Sequence, residues 1–178
     1  MTADVHFLPE LARHSVEVYL AHREFLKEPD AKEVPDPFKR PRASFVCIKH
    51  GETLRGCIGT YLPCYTDTCE EVIHNAVAAA TDDPRFDPVT PEEMPELRFT
   101  VDLLSELEPI SDYRRNDPAH YGIVVMAGRH RALLLPDIQG VSTPAAQFAI
   151  VMQKAGLAPD HPPADLKVFR FTVERYAE

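Results

Sequence analysis

The stretch ASFVCIKHGETLRGCIGTYL, residues 43–62, decides the fold. Its first part, ASFVCIKH, is rich in β-branched and aromatic residues and reads as a strand. HGET is a turn, and LRGCIGTYL is the returning strand, so the unit is a hairpin with Cys57 on its second strand. The pattern recurs downstream, where YGIVVMAG and RALLLPDI read as two strands joined by a tight turn near Gly128.

Around the hairpins the signals are helical. Leu8, Leu11, Ala12, Val16, Tyr19, Leu20 and Leu26 recur at three- and four-residue steps and predict an amphipathic helix over residues 8–26, with Pro9 in its first turn. Thr68 with Glu71 has the spacing of a capping box, and Val72, Ile73, Ala76, Val77 and Ala80 supply an apolar face. Thr143 and Pro144 open a third helix that Gly156 terminates. Proline-rich connections, KEPDAKEVPDPFKRPR and DDPRFDPVTPEEMPEL, separate the elements, and Thr90, Pro91 and Glu93 mark a short helical turn inside the second. LRFTVDLL and the closing LKVFRFTVERY are further β segments. The order is helix, two strands, helix, three strands, helix, strand. Hairpins without strict strand–helix alternation predict an α+β fold with a largely antiparallel sheet flanked by helices.

Composition narrows the class of function. The 178 residues carry a formal net charge of −9, a poor basis for neutralising a phosphate backbone, so nucleic acid is disfavoured as a partner. The basic run Lys39 to Arg42 lies in a proline-rich connection and reads as a solvated loop. No apolar run is long enough to span a bilayer, and the opening MTADVHFLPE lacks the pattern of a secretion signal. These features predict a soluble, cytoplasmic protein. In that compartment the four cysteines, Cys47, Cys57, Cys64 and Cys69, are not expected to form a disulfide framework. They contain no C-x-x-C pair, and the histidines form no H-x-x-x-H, so no metal or other cofactor is indicated.

Three stretches carry candidate chemistry. In LRGCIGT, strict strand alternation puts Arg55 on the face of Cys57, where a guanidinium would favour the thiolate. Gly56 and Gly59 either leave the sulfur reachable or let another part of the chain come close. The competing reading is a small packing cysteine. In DDPRF, Asp82 or Asp83 can pair with Arg85, and Phe86 can pin the loop. LLLPDI ends a strand in a turn, and Lys154 in QKAGL complements its helix dipole.

FVCIKHGETLRGCIGTYLP, NAVAAATDDPRFDPVTPEEMPELRFTVDLLSELEPI, YGIVV, LLLPDI and QKAGL, in this order, resemble the AMMECR family, whose bacterial and archaeal members are called AmmeMemoRadiSam system protein A. The resemblance spans nearly the whole chain and implies a single AMMECR-type domain over residues 1–178, with a larger and a smaller subdomain and LRGCIG between them. It puts weight on Leu54, Arg55, Gly56, Cys57, Ile58 and Gly59, and on Asp83, Pro84, Arg85 and Phe86. It also implies a pathway shared with a Memo-like protein and a radical-SAM protein. Asp102 stands where the family usually has serine.

Two functions follow as expectations. In a thiol-dependent enzyme or enzyme component, Cys57 is the nucleophile or thiol carrier. Arg55 and Arg85 then bind an anionic group, Gly56, Gly59, Thr60 and Asp83 belong to the same binding set with Asp83 orienting Arg85, and His74 is the better-placed base, ahead of His50. In a non-catalytic binding module, LRGCIG is a packing element and the chain acts by docking.

Overall fold

The computed structural model describes residues 5–178; Met1 to Asp4, on which part of the leader reading falls, lie outside them. The chain folds into two units, Met1–Leu104 with Glu174–Glu178, and Ser105–Val173. Each is built on its own four-stranded sheet rather than on one shared sheet.

In the first unit, helix α1 (Phe7–His22) is followed by strands β1 (Ser44–His50) and β2 (Thr53–Gly59), helix α2 (Thr68–Thr81) and strand β3 (Leu97–Leu104). The sheet order is β2-β1-β3 with the last strand of the chain, Val173–Ala177, outside β3. This leaves β2 at an edge. Alternation sends Val46 and Ile48 of β1 and Leu97, Phe99, Val101 and Leu103 of β3 into one core, with Leu8, Leu11, Ala12 and Val16 of α1 and Val72, Ile73, Ala76 and Ala80 of α2. The first helix stops four residues short of its predicted end because Arg23 adopts a left-handed conformation (φ 59°) whose N–H bonds Tyr19 O. Within the first connection Phe38 is fully buried, so that segment is anchored to the core.

The second unit contains β4 (Glu108–Pro109), β5 (Gly122–Ala127), β6 (His130–Leu134), helix α3 (Pro144–Lys154) and β7 (Lys167–Phe171), in sheet order β4-β7-β5-β6. Thr143 caps α3 through Ala146 N, and Ile123, Val125, Leu134, Phe148, Val151 and Met152 form a separate core. Gly128 (φ 54°) makes the β5–β6 turn. The closing β segment is two strands, not one: it breaks at Thr172, and β8 (Val173–Ala177) belongs to the first sheet while β7 belongs to the second.

Among the described residues, no helix is long and apolar enough to cross a membrane.

Candidate functional site

The LRGCIG strand departs from a regular hairpin at one residue. Ile48 pairs with Gly56 but Lys49 pairs with Leu54, which leaves Arg55 as the extra residue of a β-bulge. The bulge shifts the register beyond it by one, and Cys47 faces Cys57. A Cβ on Gly56 would collide with the Ala79 carbonyl oxygen of α2, and one on Gly59 with Ser44 O and the ring of Phe45. The glycines therefore admit close approach inside the first unit, of α2 on one face and of β1 alongside. Leu54 and Ile58 are half-buried, and Ile58 packs on the core.

Cys47 and Cys57 form a disulfide with Cα atoms 4.1 Å apart, which corrects the expectation that none would form. That expectation rested on compartment and chain length, whereas the pair is set by strand register, which brings the two cysteines face to face across a ladder. Cys57 is half-buried, and its sulfur is joined to Cys47 rather than free.

The backbone of Cys57 is gripped from outside the sheet. Its N–H donates to Asp83 Oδ2 (2.9 Å), and its carbonyl accepts from Arg85 Nη2 (3.3 Å). Arg85 Nε and Nη2 also donate to Asp83, at 2.9 and 2.6 Å, and the Arg85 N–H donates to Asp83 Oδ1 (3.1 Å). Asp83 and Arg85 thus satisfy edge-strand groups that would otherwise need a neighbouring strand. The Arg85 guanidinium holds the Asp83 carboxyl far below the usual carboxylate range, helped by the Cys57 and Arg85 N–H groups against the opposing effect of burial. Side-chain exposure is 54% for Arg85 and 2% for Asp83, so the clamp shows its cation to solvent. Pro84, exposed, closes the short turn between them.

Arg55 is aimed elsewhere than predicted. Its guanidinium bonds Glu93 (2.8 and 3.1 Å), Asp87 O (2.9 Å) and Pro88 O (3.3 Å). The bulge breaks the alternation on which the sequence argument relied. Glu93 also accepts from Thr90 N (2.8 Å), the back-bond of the predicted turn, and Arg55 first, then Thr90, lower its pKa. Phe86 lies under both arginines, with ring centroid distances of 6.0 Å to Arg55 and 5.5 Å to Arg85. The His74 ring stacks on Tyr65 (4.2 Å) and meets the tilted ring of Phe25 (4.3 Å), so it is engaged by aromatic rings. His50 pairs with Glu96 at 2.5 Å.

Thr60 donates its hydroxyl to Glu71, a fully buried carboxylate that also accepts from Cys64 N (2.7 Å) and Tyr65 N (3.1 Å). Glu71 is therefore a loop organiser and not the capping partner; the cap of α2 is Asp67, bonded to Glu70 N at 2.9 Å. Cys64 is exposed, while burial pushes the Cys69 thiol up to about 12, with Asp67 and Glu28 adding to the shift. Among the described residues, no group of three His, Cys, Asp or Glu side chains converges to hold a metal. Of the residues that reasoning from the sequence missed, Cys47 and Glu93 matter most, and Asp102 joins Arg175 by two bonds of 2.7 and 2.8 Å.

The AMMECR1 family model matches residues 9–176, which includes the hairpin and the clamp. The chain belongs to the AMMECR1 family. A protein of Thermotoga maritima is 47% identical over 150 residues, 84% of this chain and 85% of that one. Protein CA_C1420 of Clostridium acetobutylicum is 39% identical over 173 residues, and there the AMMECR1 chain spans 95% of itself but 35% of the longer protein. The crystal structure of the uncharacterized protein PH0010 from Pyrococcus horikoshii matches with a TM-score of 0.90 at 33% identity, covering 97% of this chain and 90% of that one.

Proposed function

We propose that this AMMECR1-family protein is a thiol-dependent enzyme component whose working group is the sulfur of Cys57, acting with Memo-like and radical-SAM partners. The observation that carries the reading is the clamp: the bulged edge strand has both polar groups of one residue, Cys57, held by a side-chain pair that is cationic on its solvent side. A fixed backbone holds the sulfur in one position, and the Arg85 guanidinium at the Cys57 carbonyl presents a cation to an anionic group arriving at this edge.

A second reading, a binding module in which LRGCIG is a packing element, is favoured by the close fit of Gly56 against Ala79 and by the pairing of both arginines with carboxylates. One experiment separates the two. The protein is reduced under mild conditions, the reductant is removed, and iodoacetamide labelling at each cysteine is followed by mass spectrometry. A working Cys57 is labelled ahead of the exposed Cys64, the ordinary reference thiol of the same chain. A packing Cys57 remains unlabelled until the protein unfolds.

A further inference from the structure

We propose that Cys47 is the resolving partner of Cys57, and that the two sulfurs form a dithiol–disulfide couple exchanging with thiol and disulfide substrates. The proposal rests on the thiol reading above and adds the second sulfur, the substrate class and the direction of attack.

Both cysteines sit at directly opposed ladder positions, two residues past the bulge on β2, with Cα atoms 4.1 Å apart. Opening or closing the bond needs no rearrangement of a loop, because the ladder on either side holds the two residues together. Their neighbours Val46, Ile48 and Gly56 face the helices and are buried, so alternation turns both sulfurs to the opposite face, where each residue is half-buried. Cys64 and Cys69 take no part, being free thiols, one exposed and one buried.

Position in the sheet distinguishes the two sulfurs. Exchange requires the incoming thiolate to approach along the S–S axis. That axis runs across the ladder from β1 to β2. Approach to Cys47 is over β3, at its ladder partner Thr100. Approach to Cys57 is from beyond the edge strand, on the side of Arg85, whose exposed guanidinium attracts an anion. Cys57 is therefore the sulfur attacked and Cys47 the leaving thiolate.

A substrate thiolate bonds to Cys57 Sγ, the Cys47–Cys57 bond breaks, and its electron pair leaves on Cys47, which takes a proton from water. A second substrate thiolate attacks the substrate sulfur of this mixed disulfide and releases Cys57. Two thiols become one disulfide, and the protein disulfide becomes a dithiol by the same two electrons. In the reverse direction a low-molecular-weight disulfide restores the Cys47–Cys57 bond and departs as two thiols.

The test equilibrates the whole protein in glutathione buffers running from fully reduced to fully oxidised, then quenches with iodoacetamide and reads the state of each cysteine by peptide mapping without reductant. Wild type is expected to pass between dithiol and internal disulfide with only traces of glutathione adduct on Cys57, adduct on the exposed Cys64 being counted apart. Cys47→Ser is expected to lose the internal disulfide and stop at a glutathione adduct on Cys57. A wild-type protein that accumulates the adduct on Cys57, or that forms no internal disulfide in oxidised glutathione, overturns the couple whether or not the variant folds. If Cys57 is still labelled by iodoacetamide ahead of Cys64, the thiol reading survives that loss. If Cys57 takes neither label nor glutathione, both fall.

Discussion

Cys47 and Cys57 occupy a non-hydrogen-bonded position of the β1–β2 ladder. The hydrogen bonds show it: Thr60 N donates to Ser44 O on the inner side, while the N–H and C=O of Cys57 point outward to Asp83 and Arg85. Non-hydrogen-bonded pairs bring their side chains closest, so the register that permits the disulfide also exposes the backbone that the clamp takes hold of.

Reduction of this bond is expected to cost stability. Its sequence separation is 10 residues, and closing a loop of that size constrains the unfolded chain by about 2–3 kcal/mol. Denaturant melts of oxidised and reduced protein should differ by that amount with the oxidised form more stable.

Asp83→Asn should destabilise the protein at neutral pH by about 1–3 kcal/mol, because it loses a charged partner of Arg85 at a buried carboxylate. The Asp83 pKa is depressed in the fold. Its stabilising contribution is therefore fully present above the unfolded value of about 3.9 and fades as pH falls from there toward the folded value. Wild type and variant should thus converge below pH of about 4, and a gap that widened in acid would be inconsistent with the clamp.

Gly56→Ala places a methyl group against the backbone oxygen of Ala79, which has no flexible end to move aside. Helix α2 or strand β2 must shift, at a cost of about 1–3 kcal/mol. Chemical denaturation measures it, and an unchanged midpoint would mean that the two elements are not in contact there.

Cys69 and Cys64 should behave as opposites toward iodoacetamide. Burial holds the Cys69 thiol at about 12, so it stays unlabelled in folded protein through the mildly alkaline range where exposed Cys64 reacts. Early labelling of Cys69 would show that α2 opens.

The hairpin, the helices and the DPRF loop are legible in the sequence because each has a local cause: β-branched alternation, apolar periodicity, proline at a break. The pairing of Cys47 with Cys57 is not. A regular two-residue turn at Gly51 and Glu52 sets Cys47 opposite Gly56, and only the bulge at Arg55 moves Cys57 into place. The same bulge redirects Arg55 to Glu93, whose acidic side chain reads in sequence only as part of a short helical turn. The cap of α2 lies one position ahead of the Thr68–Glu71 spacing, since Thr68 and Asp67 both suit a helix cap and only the fold shows which bonds the first turn. The break at Thr172 is invisible for a similar reason, because β7 and β8 have the same local character and differ only in the sheet that receives them.

The pairing at the centre of the site is tested most directly by peptide mapping without reductant. The protein is equilibrated with oxidised glutathione, its remaining thiols are blocked, and the digest is read by mass spectrometry. A peptide linking Cys47 to Cys57, with Cys69 carrying the blocking group and Cys64 carrying either that group or glutathione, is the expected result. Cys57 linked to Cys64, or both Cys47 and Cys57 blocked as thiols, would contradict the register on which the site is built.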